Sequence, residues 1–321
     1  MDLHSPQTKF SQRVESIPKS AIHEMTRLSK LYDDVAFLSW AKPTSGSPPH
    51  IEEAAIRAIK EGKTSGYTET AGLPALRKAI AEKLRRDNGI PANPDELLVT
   101  VGAVEGLTAA MLALVDPGDE VILPSPTYST HVNQVRLCGG TPVFAPTREE
   151  DEFALDLESI RARITPKTKA LLFCTPSNPT GTVFSTQNLE ALAELALKHD
   201  LFIVTDEAYE YFVYDDTRHF SIASLPEVRK NVISCFTFTK TYAMTGWRVG
   251  YLHADPEVLL RVRKAHIPQA ICAPVVSQYA ALGALQGPQE CVEEFRNKYC
   301  ASRDLMCSRL DALDGFLDYQ K

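Results

Sequence analysis

The sequence predicts an α/β fold: a mostly parallel central sheet covered on both faces by helices, with a smaller unit appended. Three observations carry this expectation. Six short apolar runs recur along the middle of the chain: LLVT at 97–100, EVIL at 120–123, TPVFA at 141–145, ALLFC at 170–174, LFIVT at 201–205 and NVISCF at 231–236. Most are separated by stretches with helical spacing of apolar residues. Strands that alternate with helices pair in parallel, because each return needs a long crossover, and they lie buried on both faces. The length, 321 residues, exceeds the roughly 100–200 residues usual for one domain, hence the smaller unit.

Taken in order, residues 1–48 read as an N-terminal arm and small-domain segment that ends irregularly in KPTSGSPP. Residues 49–287 read as the large domain. It opens with HIEEAAIRAIKEG at 50–62 and LPALRKAIAEKLRRDNG at 73–89, where apolar residues recur at three- and four-residue spacing. That is the stripe of an amphipathic helix, and Asn88-Gly89 is a stop signal for the second. The strand–helix alternation follows, and ligands of such a sheet bind beyond the carboxyl ends of its strands. After residue 287 the pattern becomes one long helix, PQECVEEFRNKYCASRDLMCSRLDAL, so residues 288–321 read as the start of a second, small domain.

Hydrophobic residues make up 44% and charged residues 23% of the chain, ordinary values for a globular protein. With 34 basic against 41 acidic residues the net charge is -7. No basic surplus exists to neutralise phosphates, so neither nucleic acid nor a membrane is expected as partner, whereas a small metabolite is. The seven cysteines are mostly widely spaced, without CxxC pairs or nearby metal-ligand histidines. They read as reduced core thiols of a cytoplasmic protein, with no metal. The N-terminal MDLHSPQTKFSQRV has no apolar core, and no run reaches the roughly 18 apolar residues of a spanning helix, so neither export nor anchoring is expected.

The chemistry concentrates in short segments. In FTFTKTYAMTGWRVG at 236–250, Lys240 follows an apolar run, has hydroxyls on either side and has Arg248 eight positions on. Such a set can anchor a phosphorylated aldehyde; alone, the lysine would read as a solvated surface residue. VTVGAVEGL at 99–107 turns from strand to helix through Gly102, which aims free backbone N–H groups at an anion. PSNPTG at 176–181 is a proline-restricted turn that can present the Asn178 amide. TDEAY at 205–209 puts an acid at the end of a buried run, where it could equally cap a helix. SPTY at 125–128 and GYTETAGLPALR at 66–77 add Tyr128 and Tyr67.

The stretch around Lys240 strongly resembles the lysine motif of the class I/II aminotransferases, the fold-type I, aspartate aminotransferase-like enzymes dependent on pyridoxal 5'-phosphate. The resemblance runs from about residue 35 to the end, and the other segments stand in the family's order. It implies a Schiff base between Lys240 and the cofactor. It gives the phosphate to the amides of Ala103 and Val104, to Thr237 and Arg248, and less directly to Thr239. Tyr128 would stack on the pyridine ring, Asn178 and Tyr209 would donate to its phenolic oxygen, and Asp206 would pair with its nitrogen. Lys240, Asp206 and Tyr209 then form the catalytic set, with Lys240 moving the substrate proton. Tyr67 would reach the neighbouring subunit's phosphate, so a homodimer is implied.

The implied reaction moves an amino group from an amino acid to a 2-oxo acid, with Ala41 and Asn178 at the substrate. The same motifs also fit a β-eliminating lyase, or a catalytically impaired remnant that binds the cofactor. Two departures bear on the substrate. In LSWAKP at 38–43, Ser39 and Ala41 stand where the family usually has glycines. Family members also continue past the long helix with a segment that supplies a carboxylate-binding arginine, which implies an incomplete small C-terminal domain here and cofactor binding stronger than turnover.

Overall fold

The computed structural model describes residues 9–38, 40–313, 315 and 319; Ser39 lies outside them. The arm carries two short helices, α1 (Gln12–Glu15) and α2 (Ala21–Ser29), neither with a buried residue. The two amphipathic segments are α3 (Pro49–Lys60) and α4 (Pro74–Asp87). Each starts on a proline, whose missing N–H would have had no intrahelical partner there.

All six apolar runs are strands. β1 (Leu97–Thr100) leads into α5 (Gly102–Leu114), β2 (Glu120–Ser125) into α6 (Ser129–Leu137), and β3 (Thr141–Pro146) precedes α7 (Leu157–Arg161). β4 (Thr168–Cys174) is followed by α8 (Thr186–Lys198) and β5 (Phe202–Asp206). β6 (Val232–Thr237) runs directly into the short α9 (Phe238–Thr241). A seventh strand, β7 (Gly250–Ala254), was not expected from the sequence. The chain closes with α10 (Pro256–Ala270), α11 (Val275–Gln286) and α12 (Glu290–Asp311).

The strand order is β1-β7-β6-β5-β4-β2-β3. Pairs among β2 to β6 are parallel, while β7 runs antiparallel to both β6 and β1. Between β6 and β7 the chain carries only α9 and a 3-10 turn at Thr245–Trp247. With no crossover helix to carry it back across the sheet, β7 doubles back beside β6.

Successive strand residues feed opposite cores. Leu171 and Phe173 of β4 join the core that holds Ile80 and Leu84 of α4 and Leu192 of α8, whereas Ala170 and Leu172 join Leu107 and Met111 of α5. Burying each such large side chain contributes roughly 1.5–3 kcal/mol, and the result is a sheet whose strand ends are fixed from both faces. Among the described residues no helix is long and apolar enough to cross a membrane.

Candidate active site at the strand ends

Parallel strands β4, β5 and β6 deliver their carboxyl ends to one edge, and the candidate residues gather there. Asp206 is the last residue of β5 and is 7% exposed. Its Oδ2 lies 3.2 Å from His131 Nε2, and Oδ1 accepts the Ala208 N–H at 3.2 Å. An ionised carboxylate only accepts, so His131 donates from Nε2. Strand register puts Cys174 and Cys235 on either side of Asp206. Burial, and then the Asp206 charge, push both thiols well above the ordinary cysteine value. They are spectators that donate to backbone carbonyls of Pro176 and Ala103.

Tyr209 follows on the turn after β5, and its hydroxyl accepts from Asn178 Nδ2 at 3.5 Å. Burial first, then the neighbouring Cys174 and Asp206, raise the phenol's pKa, so it remains an O–H donor. Tyr128 is the N-cap of α6 and meets His131 edge-on, with ring centroids 5.3 Å apart.

Lys240 sits on α9, whose first turn is capped by Thr237 accepting from the Thr239 N–H. Its Nζ donates to the Ala41 carbonyl and stands 5.7 Å from the centre of the Tyr209 ring. Burial lowers its pKa, the Arg248 charge adds to that, and Asp206 pulls the other way. The net effect is more free amine near neutral pH than an exposed lysine has, which is what a nucleophilic lysine needs.

Arg248 adopts a left-handed backbone, φ 52° and ψ 59°, a conformation that costs a non-glycine residue about 1–2 kcal/mol. The turn aims its guanidinium at the start of α5. A Cβ on Gly102, whose φ is +71°, would come within 2.6 Å of Arg248 Nη2. Likewise a Cβ on Gly250 would meet the Phe236 carbonyl at 2.7 Å and the Ala103 nitrogen at 3.1 Å. Two glycines thus let the guanidinium, the first turn of α5 and the Thr237–Thr239 hydroxyl pair, 2.8 Å apart, close into one cradle. The N–H groups of Ala103 and Val104 lie in that first turn, where a helix has no partners of its own for them.

Two expected residues stand apart from this group. Tyr67, expected at a neighbouring subunit's site, is 81% exposed between α3 and α4, and Ala41 is exposed but meets the site through its carbonyl, which accepts from Lys240. One residue was missed: His131 falls three positions after Tyr128, one helical turn on and so on the same face. That spacing was the available signal.

The family model for aminotransferase class I and II matches residues 36–319. The chain belongs to the class I and II aminotransferases. It is 39% identical over 307 residues to an aspartate aminotransferase of Pyrococcus abyssi, covering 95% of this chain and 79% of that protein. An aromatic-amino-acid aminotransferase of Thermococcus litoralis is 38% identical over the same shares. Among solved structures, the aspartate aminotransferase of Thermus thermophilus with maleate superposes with a TM-score of 0.90 at 38% identity, covering 95% of this chain and 81% of that one. In this aminotransferase the strand-end wall therefore belongs to the fold that these relatives share.

Proposed function

We propose that the chain holds pyridoxal 5'-phosphate on Lys240 and transfers an amino group from an amino acid to a 2-oxo acid. The observation that carries this reading is the pairing of the cradle formed by Arg248 and the first turn of α5 with a partly buried lysine at the end of the neighbouring strand. Arg248 packs on Gly102 at the start of α5, and Lys240 stands one turn beyond the capping Thr237. In the cradle, Arg248, Thr237 and the amides of Ala103 and Val104 hold the phosphate. Charge-assisted hydrogen bonds of this kind contribute roughly 1.5–3 kcal/mol each, enough together to retain the group while the lysine is free.

When bound, the cofactor supplies the electron sink that disperses the charge left at the substrate's Cα. The chain does the rest. Asp206, oriented by His131, presents a negative oxygen to a ring nitrogen, and Tyr209 with Asn178 donates to a ring oxygen. Tyr128 covers one ring face. The freed Lys240 amine takes the Cα proton. Ala41 and Asn178 border the substrate. Residues 49–287 form the large domain of this reading and 288–321 the start of the small one. Tyr67, exposed in one chain, reaches the phosphate of a second copy in a homodimer.

Relatives named for aspartate and for aromatic amino acids make these the first donors to try. Adding each to the yellow holoprotein should convert it to the pyridoxamine form, followed by absorbance. Ammonia and keto acid released without that conversion would instead establish an eliminating lyase, and no change with any donor would overturn the reading.

A further inference from the structure

The turn after β5 has two sides. Asp206 and Tyr209 face the candidate site, bonded to His131 and Asn178. Glu207 and Glu210 enter a separate polar network behind the sheet. Glu207 is 1% exposed, and its carboxylate accepts from Thr205 Oγ1 at 2.8 Å and Ser221 Oγ at 2.5 Å, with His219 Nε2 at 2.8 Å. Burial raises its pKa, but these hydrogen bonds and the histidine outweigh that and hold it below the ordinary value.

Glu210 is bound from the other end. Lys83 of α4, only 3% exposed, donates to both of its oxygens at 2.6 Å. Asn88 at the end of α4 completes the link. Its Oδ1 accepts from Lys83 at 2.9 Å, while its Nδ2 donates to Glu210 at 2.7 Å and to Ser221 at 3.0 Å. One continuous chain of bonds therefore runs from Lys83 through Glu210, Asn88 and Ser221 to Glu207. Among the described residues Lys83 is the one lysine or arginine paired with Glu210. Its ammonium also stands 5.0 Å from the centres of the Tyr211 and Phe236 rings, and Phe236 directly precedes Thr237.

A buried ion pair adds little net stability compared with an apolar pair of the same size, so its presence here calls for another use. Geometry supplies one. Tyr209 lies between Glu207 and Glu210, and its backbone carbonyl accepts the Phe212 N–H at 2.8 Å while Glu210 N–H bonds to the Glu207 carbonyl at 3.2 Å. Anchoring both glutamates from behind fixes the direction in which the phenol leaves the turn.

We propose that Lys83 is a positioning residue for Tyr209: bound to Glu210, it holds the 206–210 turn so that the phenol stands against Asn178 in the site. This rests on the cofactor reading above. In that reading the Tyr209 O–H steadies a negative ring oxygen, so displacing it shifts the pH midpoint of the lysine-bound cofactor's absorbance upward.

The test is a pair of titrations on protein saturated with pyridoxal 5'-phosphate. Lys83→Met should raise the midpoint by about half a unit to one unit, the size of one weakened hydrogen bond. In a Tyr209→Phe background the same substitution should raise it no further. Glu210 left ionised and alone is costly, so Lys83→Met with Glu210→Gln removes both charges together and carries the same expectation. In cofactor-free protein, amide hydrogen exchange across residues 206–212 should quicken in either variant. A midpoint that stays put while thermal stability falls would reduce Lys83 to a purely structural role. An equal shift in the Tyr209→Phe background would show that it acts through another group, and either result overturns the proposal. Failure of the cofactor reading looks different: the unsubstituted chain then gives no lysine-bound absorbance, while the exchange measurement still decides whether Lys83 holds the turn.

Discussion

The strand-end wall and the outer lip of the site are built in opposite ways. In the wall, Asp206 and Thr237 are 7% and 8% exposed, and each is fixed by a strand whose neighbours are paired on both sides. The lip contrasts with this: on the proposed reading it takes Tyr67 from a second copy, and Tyr67 is 81% exposed in one chain, while the arm that meets Lys240 through the Ala41 carbonyl leaves its Leu38 80% exposed. α4 buries Leu76, Ile80 and Leu84, whereas α1 and α2 bury nothing. Apolar surface of this extent is what a partner covers. On the proposed reading, the difference teaches that one chain supplies most of the hold on the cofactor, while a second copy completes it through Tyr67 and closes over it.

The largest expected effect tests the wall. Asp206→Asn keeps the shape but removes the charge, so turnover should fall about 10²- to 10³-fold, the range of one lost electrostatic stabiliser, with cofactor affinity changed far less. Comparable losses in stopped-flow half-reactions and in cofactor titration would mean that Asp206 binds rather than tunes.

Next comes the cradle. Gly102→Ala places a methyl 2.6 Å from Arg248 Nη2 at a φ of +71°, so Arg248 must move. One charge-assisted contact is worth roughly 1.5–3 kcal/mol, which predicts about tenfold to a hundredfold weaker cofactor binding by absorbance titration. Unaltered affinity would separate Arg248 from the phosphate.

The smallest effect sharpens the comparison at the lip. Tyr67→Phe removes one hydroxyl and should weaken cofactor binding about tenfold or less, in the dimer alone. Titrations at protein concentrations above and below dimer dissociation, checked by sedimentation, read this directly. The same loss in the monomer would place Tyr67 on its own chain's site.

The wall was legible because its residues are tied to strand ends and strand ends announce themselves. Runs such as ALLFC and LFIVT are apolar throughout or nearly so, since parallel strands are buried on both faces, and Asn178 and Asp206 follow closely. β7 escaped because GYLHA is five residues long, carries a glycine and a histidine, and continues straight from the lysine motif without a crossover helix. His131 escaped because its three-residue spacing from Tyr128 signals only a shared helix face, while its role depends on α6 facing β5, which that spacing does not record. The Lys83–Glu210 pair joins residues 127 positions apart, and each reads locally as one more charge on a polar helix or turn. At the lip the arm's helices follow their pattern, but the pattern does not say what they pack against.

The central claim is that the cofactor joins the chain at Lys240, behind the Arg248 cradle. Borohydride reduction of the yellow protein followed by peptide mapping tests it most directly. A single stable label is expected on Lys240, in the peptide that spans FTFTKTYAMTGWR. A label on any other lysine, Lys42 or Lys83 included, would contradict the claim.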